Sequence, residues 1–153
     1  MSPCFIINAR NERVVLIVQV LKDELRHKIL LESEHLFLQR GYDRTSLQMI
    51  ADKVNISKSN LYHYFKNKEE LFYELTDSTA DGLKRMILRF RSMRFDLNMD
   101  AQEFRMLLTE EVLSLLLAEK YGLLLIMEQA NGTRYENLRP VMIELIASKI
   151  VPM

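Results

Sequence analysis

Hydrogen-bonding side chains are concentrated in residues 55–72, NISKSNLYHYFKNKEELF. Within barely two turns of a predicted helix, the segment combines hydroxyl, amide, imidazole and ammonium groups, carried by Ser57, Lys58, Ser59, Asn60, Tyr62, His63 and Lys66. Side chains of these types hydrogen-bond to base edges in the major groove of DNA and to phosphate oxygens. The polar face of any solvated amphipathic helix has a similar composition, so residue types alone leave both interpretations open.

Two helices are predicted before this segment. Residues 22–40 are expected to form the first, because Leu25, Ile29, Leu36 and Phe37 recur at helical spacing. Gly41 follows where a left-handed C-cap is needed. The second is expected to begin at Thr45, since Thr45-x-x-Gln48 has the form of a capping box, and to end near Val54.

A short turn connects the second helix to a third one over residues 57–66. Asn55 tolerates the left-handed conformation of a tight turn, and Ser57 can cap the next helix. Leu61 and Phe65 lie four residues apart and are expected to pack inward together. Two short helices joined in this way predict a helix-turn-helix, whose second helix enters the major groove while the first crosses the backbone.

The rest of the chain is also predicted to be helical. Asn67-x-x-Glu70 predicts the cap of a fourth helix that reaches about residue 94, followed by a break at 98–100. Three more helices are expected over residues 101–119, about 121–130 and 134–150. Residues 1–21 fit a short strand, an extension of the first helix, or upstream sequence, and Arg10 and Arg13 there fit a basic arm or a disordered tail.

Composition and charge favour an all-α DNA-binding protein. The 153 residues include only 4 Gly and 3 Pro, and helix-forming residues dominate. Residues 22–68 hold nine Lys or Arg against six Asp or Glu, a balance of +3, whereas residues 69–153 hold ten against fourteen, a balance of −4. The single cysteine, Cys4, excludes an internal disulfide, and no apolar run approaches the ~20 residues of a membrane span. We therefore expect a cytoplasmic protein.

Each polar residue is assigned an expected role. Lys58, Ser59, Asn60 and His63 are expected to contact bases or nearby phosphates, and Tyr62 and Lys66 the DNA backbone. Thr45 opens the second helix, Ser57 the third and Lys68 the fourth. Each of these positions places a polar side chain beside free backbone N–H groups, where a phosphate can dock.

From Ile29 to Leu71 the chain closely resembles the TetR family of transcriptional regulators. The resemblance rests on ILLESEHLF at 29–37, GYDRTSLQMIADKVNISKSNLYHYF at 41–65 and KEEL at 68–71. The family's pattern is matched in order by Thr45, by Ile50-Ala51, by Tyr62 and Phe65, and by Lys68 and Leu71. Two positions depart from it: Asn55 stands where Gly is usual, and Glu32 where a small residue is frequent.

The resemblance implies a homodimeric repressor that binds a palindromic operator in double-stranded DNA and is released by an unidentified small-molecule effector. It also implies three segments: an extension (1–21), a helix-turn-helix domain (22–67) and a helical ligand-binding and dimerisation region (68–153). That last region is shorter than the family's. Apolar residues there fit either an effector pocket or an ordinary core, namely Met86, Phe90, Phe104, Leu108, Tyr121 and Met127.

Two other functions compete with that of a regulator: an enzyme with a metal site, and a protein interaction module. Glu24-x-x-His27 and Glu32-x-x-His35 have the spacing of di-iron carboxylate sites, but both lie on one helix, so a solvated face explains them better and no metal or cofactor is expected. No nucleophilic constellation or phosphate-binding loop favours an enzyme. The alternative to a regulator is a truncated helical interaction module that pairs with a partner and does not bind DNA by itself.

Overall fold

The computed structural model describes residues 9–92 and 101–150, and within them it contains six α-helices and no strand. The helices are α1 (Ala9–Arg40), α2 (Leu47–Val54), α3 (Lys58–Leu61), α4 (Lys68–Ser92), α5 (Ala101–Glu128) and α6 (Leu138–Ile150). The prediction of an all-α fold is confirmed. The predicted break at residues 98–100 lies outside the described residues.

Helix α1 begins thirteen residues earlier than its apolar spacing predicts, because residues 9–21 continue the helix. No Gly or Pro interrupts residues 9–40, so nothing in the backbone ends the helix there. Of the three alternatives for this segment, extension of the first helix is therefore correct for residues 9–21. Its apolar side chains, from Val14 to Leu21, are about half exposed or more.

One hydrophobic core joins the first helices to α4. Ile29, Leu36 and Phe37 are buried, as the spacing of α1 predicts, while Leu25 is half-buried. The ring of Phe37 meets that of Phe72 on α4 edge-on, with centroids 5.3 Å apart. Aromatic pairs in this geometry add to the stabilisation from buried area. This contact fixes the helix-turn-helix against α4.

Helix α4 is the central helix and packs against α1, α5 and α6. Helix α5 spans both predicted segments, but its backbone is non-helical at Glu119 (φ −138°, ψ 35°), so the break expected near Lys120 is present as a kink. Gly122, just beyond it, is buried against Thr79 of α4.

The α5–α6 connection, residues 129–137, is a series of turns, and α6 therefore begins at Leu138 and not at 134. Arg134 and Tyr135 in this loop both contact the Asp77 carboxylate of α4. The Arg134 guanidinium lies 2.6 Å from Asp77 Oδ1, and the Tyr135 hydroxyl donates to the same oxygen at 2.6 Å. The guanidinium also stacks on the ring of Tyr73, 3.7 Å from its centroid. The loop is thus attached to α4 along two of its turns.

The apolar residues considered for an effector pocket differ in how deeply they are buried. Met86 is buried, Met127 is half-buried and Tyr121 is 45% exposed. The side chains of the other three residues lie outside the described part of the chain, so the pocket stays a prediction.

The residues considered for a metal site lie on the surface of α1. Glu32 and His35 approach to 3.9 Å on its solvated face. Among the described side chains, no three His, Cys, Asp or Glu come together as ligands of a metal ion. Cys4 lies outside the described residues. None of the helices in residues 9–92 and 101–150 has the length and apolar character needed to cross a membrane.

Candidate nucleic-acid interface

The start of α2 differs from the predicted cap. Ser46, in an extended conformation, is the N-cap, and its hydroxyl accepts a hydrogen bond from the backbone N–H of Met49 at 3.2 Å. Thr45 is 1% exposed, and its hydroxyl points inward toward the carbonyls of Gly41 (2.8 Å) and Leu36 (3.3 Å). The capping role assigned to Thr45 was therefore wrong, because its hydroxyl satisfies carbonyls at the end of α1.

The turn between α2 and α3 follows the prediction closely. Asn55 is in the left-handed conformation (φ 60°, ψ 46°), the only non-glycine residue with positive φ in the described ranges. Its N–H and that of Ile56 bond back to the last turn of α2, the latter to the Ala51 carbonyl at 3.0 Å. Asparagine adopts this conformation more readily than other non-glycine residues. The turn thus sets the angle between the two helices.

Helix α3 is shorter than the predicted helix over 57–66. Its regular part covers Lys58–Leu61, and residues 62–64 continue as a turn. Ser57 caps it as expected, since its hydroxyl accepts from the N–H of Asn60 at 3.1 Å. Leu61 and Phe65 are 0% and 1% exposed. These two buried side chains anchor the segment and leave its other face in solvent.

The polar side chains of residues 57–66 reach solvent on the side away from the core, and together we call them the α3 surface. Lys58, Ser59, Tyr62, His63 and Lys66 are exposed together with the cap Ser57, and Asn60 is half-buried. The ammonium of Lys58 lies 6.0 Å from the centroid of the Tyr62 ring. The structure therefore brings seven of the nine predicted residues together and buries Thr45 at the end of α1.

The ninth residue, Lys68, is held against the helix-turn-helix. Its ammonium donates to the carbonyl of Tyr42 at 2.7 Å and lies 4.0 Å from the centroid of that ring. Burial lowers the pKa of Lys68, and the nearby Asp43 carboxylate partly opposes that shift. An ammonium has three hydrogens, so two remain for another acceptor. Lys68 thus links the start of α4 to the loop before α2.

The cap of α4 is also as predicted. The side-chain oxygen of Asn67 accepts from the N–H of Glu70 at 2.7 Å. The carboxylate of Glu70 reaches back to the N–H of Lys66 at 2.6 Å, closing a reciprocal cap. An acidic side chain is favourable at the positive end of a helix.

Sequence reasoning missed Ser46 as a candidate contact. Its exposed hydroxyl stands at the start of α2, at the position assigned to Thr45. Both residue types cap helices, and the sequence signal for Ser46 was its position next to Thr45. Only the burial of Thr45 distinguishes the two.

Comparison with known proteins identifies relatives of the segment that contains the helix-turn-helix. Residues 29–75 match the model of the bacterial regulatory proteins of the tetR family. The negative transcriptional regulator IcaR of the biofilm operon icaADBC of Staphylococcus epidermidis is 34% identical over 65 residues, which are 42% of this chain and 35% of that protein. The transcriptional activator FasR of Mycolicibacterium smegmatis is 34% identical over 62 residues, 40% of this chain and 28% of that protein. The matched segment thus spans about a third of these relatives.

Similarity to solved structures extends further along the chain. NalD, the secondary repressor of the MexAB-OprM multidrug efflux pump in Pseudomonas aeruginosa, matches with a TM-score of 0.51 and 27% identity, covering 82% of this chain and 61% of that one. The probable transcriptional regulatory protein RHA5900 shares the fold, with a TM-score of 0.56 at 19% identity. The family match and the helix-turn-helix that it contains show that residues 29–75 form a segment of the kind found in bacterial regulatory proteins of the tetR family.

Proposed function

We propose that the chain is a sequence-specific DNA-binding transcriptional regulator that acts as a repressor. The observation that carries the proposal is the α3 surface, a set of hydrogen-bonding groups that reach solvent from α3 and the turn after it, with Leu61 and Phe65 buried beneath as anchors. Proteins of its family named as negative regulators or repressors, IcaR and NalD, support repression, although FasR is named as an activator.

Within this proposal the α3 surface enters the major groove. Lys58, Ser59, Asn60 and His63 contact base edges or nearby phosphates, because amide, hydroxyl, imidazole and ammonium groups match the donors and acceptors displayed there. The other polar residues of the surface, Ser57, Tyr62 and Lys66, contact the backbone. Lys68 contributes its remaining N–H groups, and Ser46 replaces Thr45 as the polar group at the start of α2.

We propose further that the protein binds an inverted repeat as a homodimer and responds to a small-molecule effector. Leu113 and Leu117 before the kink of α5, and Tyr121 and Leu124 after it, carry apolar side chains that are 45–78% exposed. Exposed apolar side chains clustered on one element favour a protein partner. The effector would act through α4, because α4 contacts both α1 and the C-terminal helices. Such a ligand must bind the non-binding conformation more tightly.

Selection of random duplex DNA against the purified chain tests the proposal. We expect enrichment of an inverted repeat, whose two half-sites report a dimer. Enrichment of a single half-site would refute the homodimer but not sequence-specific DNA binding. No enrichment, together with DNA binding that does not depend on salt, would favour the truncated interaction module, because phosphate contacts release counterions.

Variants then separate contacts with bases from contacts with phosphates. Lys66→Ala should weaken binding to all sequences alike. The salt slope, which is the slope of log Kobs against the logarithm of the salt concentration, should become less steep by about 0.9 for each protomer bound. Asn60→Ala or His63→Ala should instead relax the preference at particular base pairs, at about 1–3 kcal/mol each. The matched control is Lys84→Ala on α4, an exposed lysine paired with Asp81 at 3.1 Å. An equal slope change in the control would remove Lys66 from the phosphate contacts.

A further inference from the structure

An open groove runs between α1 and the α3 surface. Its walls are formed by residues of α1 on one side and of the α3 segment on the other: Gln19, Lys22, Asp23, Arg26, Asn60, His63 and Tyr64. The groove has a volume of roughly 630 Å³. Its α1 wall precedes residue 29, where the match to the family begins. The groove therefore joins α1 residues outside the matched segment to two of the proposed base-contacting residues.

The charged groups in this groove differ in their availability. Arg26 pairs with Glu74 of α4, and its guanidinium stacks 4.9 Å from the centroid of the Phe65 ring. The Asp23 carboxylate accepts a hydrogen bond from the Gln19 amide at 3.0 Å. Lys22 is exposed. Of the lysine and arginine that line the groove, Arg26 forms an ion pair and Lys22 forms none. A free ammonium therefore faces the same space as Asn60 and His63.

The width of the DNA groove determines what Lys22 would meet. The major groove is ~12 Å wide and is bounded on each side by a phosphate strand. If Asn60 and His63 contact base edges, the wall opposite them lies above one of the bounding strands. A lysine in that wall of the protein groove then meets phosphate oxygens and not bases, because the bases lie at the bottom of the DNA major groove.

We propose that Lys22, on the N-terminal part of α1, binds a DNA phosphate in the strand that flanks the α3 surface. The inference rests on the proposed function and adds a contact from outside the helix-turn-helix. The Gln19 amide lines the same groove, and the hydrogen that it does not donate to Asp23 supplies a second donor to the same phosphate. Such a contact sets the position of the protein on the duplex and adds affinity without sequence preference.

A matched pair of lysines tests this inference. Lys22→Ala and Lys28→Ala remove the same charge from the same helix, at two exposed positions. Lys28 follows Lys22 by six positions, a rotation of about 600°, which places it roughly 120° around α1 from Lys22. We expect Lys22→Ala to lower the salt slope by about 0.9 per bound protomer, which amounts to a ~3.5-fold smaller loss of affinity between 50 and 200 mM salt. Lys28→Ala should leave the slope unchanged.

The location of the contact is tested by phosphate ethylation interference on the selected duplex. The wild type and Lys28→Ala should share one interfering phosphate per half-site that Lys22→Ala lacks, while the preferred sequence stays the same in all three proteins. An unchanged slope for Lys22→Ala, or an unchanged interference pattern, would overturn the inference. If the wild type binds no duplex in a salt-dependent way, the proposed function itself fails.

Discussion

The contact between α4 and α5 at Gly122 allows a quantitative prediction for Gly122→Ala. A methyl group at this position would lie 2.1 Å from Thr79 Oγ1, 3.1 Å from Thr79 Cβ and 3.3 Å from the carbonyl oxygen of Leu75. Rotation of the Thr79 hydroxyl relieves only the first contact, and it breaks the hydrogen bond that the hydroxyl donates to Glu119 at 3.2 Å. The other two contacts require the helices to separate.

The expected change in the free energy of unfolding follows from two unfavourable contributions and one favourable contribution. Overpacking of a well-packed contact costs about 1–3 kcal/mol. Loss of the Thr79 hydrogen bond adds about 1 kcal/mol. Alanine is favoured over glycine within a helix by about 1 kcal/mol, which offsets part of this cost. We therefore expect Gly122→Ala to lower the free energy of unfolding by about 1–3 kcal/mol, which corresponds to ~2–4 °C in Tm for each kcal/mol.

Gly82→Ala in α4 is the matched control. Its new methyl group would lie 2.9 Å from Leu115 Cδ1 and 3.9 Å from Arg85 Nη2, and both atoms end flexible side chains. Rotation of Leu115 relieves this contact without moving a helix. The helix preference for alanine then remains, so we expect Gly82→Ala to be neutral or to stabilise the protein by up to about 1 kcal/mol.

Urea denaturation followed by circular dichroism at 222 nm measures both changes. Thr79→Ala in the Gly122→Ala background should restore part of the lost free energy, because it removes the hydroxyl that obstructs the methyl group. A Gly122→Ala variant as stable as the wild type would refute overpacking at this contact. An equal loss of stability in Gly82→Ala would also refute it, because the loss would then not come from the close contact with Thr79.

Two further predictions concern Tyr135 and Asn55. Burial, with the hydrogen bond to Asp77 next, raises the pKa of Tyr135 from 10 to about 12. The stability that this provides is complete below pH 10 and is lost as the pH rises to about 12. The free energy of unfolding, measured by urea denaturation at pH 9–12, should therefore fall less steeply with pH for Tyr135→Phe than for the wild type. Parallel curves for the two proteins would contradict this prediction. Asn55→Val should lower the free energy of unfolding by about 1–2 kcal/mol, because a β-branched residue is disfavoured at φ 60°, whereas Asn55→Gly should be close to neutral. Equal losses in the two variants, measured by the same denaturation, would exclude backbone strain as the cause.

The local structure around the helix-turn-helix was largely determined by the sequence. Gly41 and Asn55 adopt the left-handed conformations predicted for them, and Ser57 and Asn67 cap their helices through hydrogen bonds three residues along the chain. These signals depend only on the backbone preference of one residue or on bonds within one helical turn. Neighbouring residues are enough to decide them, so a single sequence carries them.

The tertiary structure decided which side chains remain available for binding. Thr45 and Ser46 are equivalent as caps, and the choice was made by the carbonyls of Leu36 and Gly41, which bury the Thr45 hydroxyl. Lys68 finds its acceptor 26 residues earlier in the chain, at the Tyr42 carbonyl. Lys22 of α1 lines the same groove as Asn60 and His63 of the α3 surface, although these residues lie far from it in the chain. Such pairings depend on how helices pack, and packing is a property of the whole core, which local spacing does not encode.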